Sequence, residues 1–329
     1  MALPNFFVAG APKAGTTALH AALARHPELY MSAVKEPKFF LTDGPPPAQG
    51  GPGDAKTYRE NVWRRADYEA LFDGAPPGAL RGESTPFYLY SQAAQQRIRT
   101  LVPDARMIVV LRDPIERAHS NWTHLWSAGL DPIDDFVRAC DAEDRRIAAG
   151  WADFWRYKRL GLYGEQVEHL YSVFPADRVL LMRYRELLGN PVGTLNRICV
   201  FLGVSPDLIS DLPRENVTAH PDQTRRHRYL SKLLRAGTAI TTALPRRSAR
   251  VMIDKLEGSL QQGAAPRRPP TWAQRQALMP FFESDIRLLE DITGDDYSGW
   301  LGPREDSGGL VGTRPAGQQQ ARNGRVREF

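Results

Sequence analysis

A glycine-rich segment near the beginning of the sequence has the spacing of a phosphate-binding loop. Gly10 and Gly15 enclose four residues, and Thr16 begins a helical pattern directly after them. The backbone amides of such a loop point toward a ligand at a helix N-terminus, which attracts negative charge. Lys13 adds a cationic side chain inside the loop. The segment therefore predicts a site for a phosphorylated ligand.

The same loop lacks the parts that bind a magnesium triphosphate. A Walker loop carries a lysine and then a serine or threonine after its last glycine, to reach the terminal phosphates and the metal. In this sequence Thr16 stands in the lysine position. A P-loop kinase that uses ATP or GTP is therefore an alternative that the residues disfavour. A cradle for a 5′-phosphate, with Lys13 at the bond being transferred, fits better.

A second candidate for phosphate binding follows an apolar run at residues 107–111, which is typical of a strand that is covered on both faces. Arg112 comes directly after this run, and a guanidinium can hold a phosphate through two parallel hydrogen bonds. Ser120, on the helix predicted to follow, could donate a third. The alternative is a structural ion pair between Arg112 and Asp113 or Glu116.

Three apolar runs, each followed by a helical pattern, predict the elements that position these residues. The runs lie at residues 5–9, 107–111 and 179–182, and the helical patterns begin at Thr16, Pro114 and Pro191. Strands that alternate with helices favour a parallel sheet, and such sheets bind ligands at the carboxyl ends of their strands. The predicted fold is α/β: a P-loop-like three-layer fold with a central parallel sheet flanked by helices.

The domain prediction places a single domain at residues 1–302 and a disordered tail at residues 303–329, which are rich in Gly, Gln and Arg. Residues 271–292 are predicted to form one long helix or two, interrupted at Pro280. A Gly- and Pro-rich stretch at residues 43–54 is predicted to be a loop.

The composition argues against several other classes of protein. Hydrophobic residues make up 42% of the 329 residues and charged residues 25%, as in ordinary globular proteins. The net charge of +5 suits an anionic ligand, but no basic run indicates nucleic-acid binding. We find no signal peptide and no apolar stretch that could span a membrane, so we expect a cytoplasmic protein. Cys140 and Cys199 form no CxxC pattern, which predicts neither a metal site nor a disulfide.

Several segments, in order along the chain, resemble those of sulfotransferases that use 3′-phosphoadenosine 5′-phosphosulfate (PAPS). The resemblance is to the branch of the heparan sulfate sulfotransferases and their bacterial relatives. The segments are 12–19 (PKAGTTAL), 35–40 (KEPKFF), 83–88 (ESTPFY), 106–121 (RMIVVLRDPIERAHSN) and 161–163 (GLY). The two nucleotide motifs, the first and the fourth of these, lie about 100 residues apart.

The resemblance implies in-line transfer of a sulfuryl group from PAPS to a hydroxyl group, with an amine as the second choice. The acceptor would be a small molecule, a saccharide or a glycolipid, and the donor would leave as adenosine 3′,5′-bisphosphate. The implied 3′-phosphate site contains Arg112 and Ser120. The implied 5′-phosphosulfate loop comprises Lys13, Ala14, Gly15, Thr16 and Thr17.

The resemblance also implies a catalytic carboxylate. Glu36 lies in the segment that matches the family's catalytic glutamate and is the predicted general base, while Glu83 is the second candidate. Lys13 would neutralise the charge that develops on the leaving oxygen. His20, His119 and His124 could also serve as bases, although no motif here requires them.

Two departures from the family pattern concern the substrate side and the C-terminal part. Ser84 stands where the family often has a lysine. The family's basic loop that closes over the nucleotide has no clear match in this sequence, and Arg267 and Arg268 are its predicted counterparts.

A regulatory module that binds a nucleotide is a further alternative, since it would keep Lys13 and Arg112 but would need no base.

Overall fold

The computed structural model describes residues 2–47, 50–213 and 269–302. Arg267, Arg268 and the predicted tail at residues 303–329 lie outside these ranges. Their roles, and the boundary at residue 302, therefore stay predictions.

A parallel sheet of five strands crosses the centre of the molecule, in the spatial order β2-β3-β1-β4-β5. Its strands are β1 (Phe6–Gly10), β2 (Leu29–Met31), β3 (Leu80–Ser84), β4 (Arg106–Leu111) and β5 (Val179–Arg183). Every residue of β1 is buried, as are five of the six in β4, so helices cover the centre of the sheet on both faces. The predicted strands are confirmed as β1, β4 and β5.

Helices flank this sheet, which confirms the predicted α/β fold. The helices of the described residues are α1 (Thr16–Leu23), α2 (Asp54–Arg59), α3 (Arg65–Ala70), α4 (Gln92–Leu101), α5 (Pro114–Ser127), α6 (Phe136–Asp141), α7 (Glu143–Ala148), α8 (Tyr163–Val173), α9 (Tyr184–Gly189), α10 (Pro191–Leu202) and α11 (Trp272–Thr293). No helix among them is long and apolar enough to cross a membrane.

Helix α5 begins as the sequence predicts. The carboxylate of Asp113 accepts hydrogen bonds of 3.0 Å from the amides of Ile115 and Glu116, and Pro114 occupies the first turn, where a missing N–H costs nothing. Asp113 also forms a buried ion pair of 2.9 Å with Arg275 of α11. The cap therefore joins α5 to the last described helix.

Helix α11 runs unbroken through Pro280, so the first predicted alternative, one long helix, is confirmed, and the interruption at Pro280 is not found. Pro280 is exposed, which lets water satisfy the carbonyl that has lost its helical partner. Contacts with α8 hold the helix on its other side, where the Asp285 carboxylate accepts from the amides of Gly164 at 2.9 Å and Glu165 at 3.0 Å.

A segment after β2 follows the carboxyl edge of the sheet. The amide of Ser32 donates to the carbonyl of Gly82 at 2.9 Å, and the amide of Glu36 donates to the carbonyl of Ser84 at 2.9 Å. These bonds continue the pairing of β2 with β3 beyond the end of β2. They place Glu36 beside the end of β3, at the edge where the glycine-rich loop leaves β1.

Candidate functional site

The loop between β1 and α1 is fixed to the neighbouring strand. The amide of Ala11 donates to the carbonyl of Val110 in β4 at 2.8 Å. Gly15 has a φ of 82° and lies against Tyr184, whose ring carbon would be 2.8 Å from an added Cβ atom. Because the left-handed backbone and the close ring both exclude a side chain, glycine is required at this position. The loop therefore has a fixed shape at the start of α1.

The N-terminus of α1 suits an anion. Gly15 caps the helix without any side-chain hydrogen bond, so no side chain of the cap competes for the amides of the first turn. Thr16 is buried and Thr17 is half-buried in that turn, directly after the buried Ala14. Lys13 is half-buried and has a φ of 69°. The predicted loop residues thus lie together around one helix end.

Arg112 joins this loop to the end of β4. Its Nη1 donates to the carbonyl of Lys13 at 3.1 Å, and its guanidinium carbon lies 4.7 Å from the centre of the Tyr184 ring. Its Nη2 is 3.5 Å from a carboxylate oxygen of Glu116, so that alternative ion pair exists alongside the loop contact. The Nε atom of Arg112 is buried and has no hydrogen-bond partner.

The same face of α5 carries the other residue predicted to bind phosphate. Ser120 is buried and lies four residues after Glu116, which places both on one side of the helix. The second carboxylate oxygen of Glu116 is 3.5 Å from Nη2 of the exposed Arg185. Glu116 therefore forms ion pairs with two arginines, Arg112 and Arg185.

Glu36 is half-buried and forms an ion pair with the adjacent Lys35. Its φ of 61° is left-handed, as is that of Lys38 at 62°. Burial lowers the pKa of the Lys38 ammonium, and the nearby Glu36 opposes this shift. The predicted base thus lies in an irregular, cation-rich segment that is partly open to solvent.

Glu83, the second candidate base, is fully buried at the end of β3. Its Oε1 accepts hydrogen bonds from the hydroxyl groups of Tyr68 at 2.6 Å and Tyr88 at 2.9 Å, and its Oε2 accepts from Thr85 at 2.8 Å. Burial raises the pKa of this carboxyl to about 7, although the three hydrogen bonds act in the opposite direction. Both of its oxygens are therefore occupied and no part of it reaches solvent, whereas the Glu36 side chain is partly exposed.

The three candidate histidines lie in different environments. Burial and the charge of Lys13 lower the pKa of His124 to about 4, while the charge of Glu36 opposes the shift. His124 therefore lies within electrostatic reach of both groups. His20 bonds to the Ser84 hydroxyl through Nδ1 at 2.9 Å, and burial followed by the charge of Lys35 lowers its pKa to about 4. His119 packs within the aromatic core against Phe136, with ring centres 4.9 Å apart.

The structure brings Lys13, Arg112 and Glu36 to one edge of the sheet and keeps Glu83 beneath them. Sequence reasoning missed Tyr184, which contacts both Gly15 and Arg112. Its position two residues after the third predicted strand was the available signal. Among the described residues, no group of His, Cys, Asp and Glu side chains could hold a metal ion.

The fold and the site define an α/β protein of the P-loop-like class with a cationic site at the carboxyl edge of its sheet. A family model described as the sulfotransferase family matches residues 54–207. The crystal structure of a sulfotransferase from Alicyclobacillus acidocaldarius has a TM-score of 0.70 and 28% identity, and the match covers 91% of this chain and 99% of that one. The chain is therefore similar to sulfotransferases in both sequence and fold.

Two curated relatives share a shorter region. The heparan sulfate glucosamine 3-O-sulfotransferase 3B1 of Mus musculus is 30% identical over 203 residues, which cover 61% of this chain and 46% of that protein. The bifunctional heparan sulfate N-deacetylase/N-sulfotransferase 3 of Homo sapiens is 29% identical over 211 residues, which cover 62% of this chain and 23% of that protein. The chain therefore spans less than half the length of either relative.

Proposed function

We propose that the protein transfers a sulfuryl group from PAPS to a hydroxyl group of an acceptor. The observation that carries the proposal is the hydrogen bond from Arg112 to the carbonyl of Lys13, at 3.1 Å. This contact joins the two predicted phosphate sites into one continuous surface. A nucleotide with phosphate groups at both its 5′ and 3′ positions has the charge pattern that such a surface fits.

The residues on the donor side divide into two groups in this proposal. The 5′-phosphosulfate lies against Lys13, Ala14, Gly15, Thr16 and Thr17, where the amides of the first turn of α1 donate to its oxygens. The 3′-phosphate lies against Arg112 and Ser120, where the guanidinium of Arg112 can donate two parallel hydrogen bonds to it. We propose that Arg267 and Arg268 add cationic groups on the 3′ side.

The bound PAPS supplies a sulfuryl group attached to a good leaving phosphate. In the transfer, the acceptor oxygen forms a bond to sulfur while the bond from sulfur to the bridging oxygen breaks. The electron pair of that bond leaves with the phosphate oxygen, whose growing charge Lys13 neutralises. The acceptor proton moves to the Glu36 carboxylate, which must first exchange its ion pair with Lys35 for the acceptor hydroxyl.

Titration calorimetry tests the donor assignment. We expect adenosine 3′,5′-bisphosphate and PAPS to bind without a divalent metal, and to bind more tightly than ATP or adenosine 5′-phosphosulfate. Arg112→Ala should remove most of the preference for the 3′-phosphate. Equal affinities of the wild-type protein for adenosine 5′-phosphosulfate and PAPS would contradict the roles given to Arg112 and Ser120.

The kinase alternative is not favoured, because Thr16 occupies the position where a P-loop kinase needs lysine. Its distinguishing result is activity that chelation abolishes and Mg²⁺ restores. A regulatory module that binds the nucleotide would show the same calorimetry but no sulfuryl transfer to any acceptor. A screen with labelled PAPS over saccharide, glycolipid and small-molecule acceptors therefore separates the module from an enzyme.

Among these acceptors we propose a saccharide hydroxyl first, since the names of the two curated relatives specify heparan sulfate. An amine is the second choice.

We also propose a cytoplasmic location. It is supported by Cys140 and Cys199, which are buried and do not form a disulfide, as expected in a reducing compartment.

A further inference from the structure

Two hydroxyl groups connect the buried Glu83 to the segment at residues 34–42, which carries Glu36. Thr85 Oγ1 donates to Glu83 at 2.8 Å and accepts from the amide of Lys38 at 3.3 Å. The Tyr88 hydroxyl donates to Glu83 at 2.9 Å and accepts from the amide of Phe40 at 3.4 Å. Each hydroxyl thus lies between the carboxylate and a backbone amide of the segment.

The carboxylate decides the direction of these hydrogen bonds. A hydroxyl group has a single proton, so it can donate to only one partner at a time. Above its pKa of about 7 the Glu83 carboxyl is ionised and only accepts, so it draws the protons of Thr85 and Tyr88 toward itself and leaves their lone pairs for the amides of Lys38 and Phe40. A group at position 83 that donates a proton would disturb at least one of these contacts.

The segment requires stabilising contacts with the rest of the protein, because two of its residues have unfavourable backbone conformations. Glu36 and Lys38 both have φ values in the left-handed region, at 61° and 62°. Such values are unfavourable for residues with side chains and persist only where the surroundings impose them. Tyr68 adds a further contact, since its ring stacks on Phe39 with centres 4.2 Å apart while its hydroxyl donates to Glu83 at 2.6 Å.

We infer that Glu83 is a positioning residue that holds the segment carrying Glu36 in its active conformation, through the hydroxyl groups of Thr85 and Tyr88. The inference rests on the proposed function only in taking Glu36 as the base. It gives Glu83 a role that needs no contact with the acceptor, which agrees with its complete burial.

The test compares Glu83→Gln with Glu143→Gln. Glu143 is a matched control because it is equally buried, and it accepts from the amides of Lys158 at 2.5 Å and Arg159 at 3.1 Å, away from this segment. Hydrogen exchange of a peptide that spans residues 34–42 is measured first, since it needs no activity. We expect exchange there to rise about 10-fold in Glu83→Gln, the scale of one or two lost hydrogen bonds, and to stay at the wild-type level in Glu143→Gln.

Steady-state kinetics supply the second readout. Glu83→Gln should lower kcat by about 10-fold or more and leave the KM for PAPS within about 2-fold, because the donor loop is not displaced. Thr85→Val should reproduce the faster exchange, and Thr85→Ser should restore protection by returning the hydroxyl. Wild-type exchange at residues 34–42 in Glu83→Gln would overturn the inference, as would an equal loss of kcat in Glu143→Gln. Absence of transfer by the wild-type protein would instead contradict the proposed function, and the exchange result would still decide the role of Glu83.

Discussion

Lys13 is the residue on which the proposed transfer depends most directly. It lies in the turn before α1 with a left-handed backbone, and Arg112 holds its carbonyl. The backbone of the loop is therefore fixed by contacts that do not involve the Lys13 side chain. Removing that side chain should leave the geometry of the donor site unchanged and lower only the rate of sulfuryl transfer.

We expect Lys13→Ala to lower kcat much more than it weakens PAPS binding. A cation aimed at the leaving oxygen acts where charge develops, so its loss costs about 2.7–4 kcal/mol of transition-state stabilisation, or roughly 100- to 1000-fold in kcat. Single-turnover kinetics with saturating PAPS measure the effect, and Lys56→Ala, at an exposed position on α2, is the control. A normal saturating rate with weakened binding would make Lys13 an anchor for the donor instead.

The second prediction at this scale concerns the base. Glu36→Gln should keep the fold and the affinity for PAPS, but lower kcat by about 100-fold or more, because a general base contributes on that scale. Turnover and calorimetry on Glu36→Gln and Glu83→Gln decide between the two carboxylates. Near-normal turnover in Glu36→Gln beside a folded but inactive Glu83→Gln would reverse the assignment.

At the scale of elements, the junction between β1 and α1 limits which residues can occupy position 15 of the loop. Gly15 has a left-handed backbone and faces the Tyr184 ring, which follows β5. Any side chain at this position must displace the Tyr184 ring, on which the guanidinium of Arg112 lies. The loop, the end of β4 and the residues that follow β5 are therefore in direct contact, and a change in one of them disturbs the others.

We expect Gly15→Ala to lower the free energy of unfolding by about 1–3 kcal/mol, because a left-handed backbone is unfavourable for alanine and its Cβ would meet a ring carbon at 2.8 Å. Gly189→Ala is the matched control, since an added Cβ there meets no atom within 4 Å and its φ is not left-handed. Urea denaturation of the two variants gives the comparison. Equal stabilities would show that Tyr184 moves aside without cost.

At the scale of the whole molecule, the buried carboxyl of Glu83 makes the stability depend on pH. Burial raises its pKa to about 7 from an ordinary value of 4.5. A carboxyl group that binds its proton more tightly in the folded state stabilises that state when it is protonated. This contribution is complete below pH 4.5 and is lost as the pH rises through about 7.

We therefore expect the free energy of unfolding of the wild-type protein, relative to Glu83→Gln, to fall by about 3 kcal/mol as the pH rises from about 4.5 to about 7.5. Glutamine does not titrate, and the difference removes the common effect of Asp285, whose pKa burial raises to about 6. Denaturation curves at several pH values measure it. Parallel pH profiles for the two proteins would mean that the Glu83 carboxyl titrates normally in the folded state.

The sequence by itself determined the parts of this protein that depend on neighbours along the chain. The glycine-rich turn and the starts of α1 and α5 are confirmed, because each is set within about one helical turn of sequence. The strands β1, β4 and β5 were predictable because strands buried on both faces are continuous apolar runs. The position of Arg112 beside the loop followed, since parallel strands end at the same edge.

The tertiary structure decided what depends on residues that are distant along the chain. Strands β2 and β3 escaped prediction because β2 has three residues and β3 carries polar ones, so that pairing in the sheet and not periodicity defines them. The sequence ranked Glu36 above Glu83 only through the family resemblance of its segment. Only the folded chain brings the hydroxyl groups of Tyr68 and Tyr88 to Glu83 and leaves Glu36 in contact with solvent. Burial sets the chemistry of a carboxylate, and burial is a property of the packed molecule.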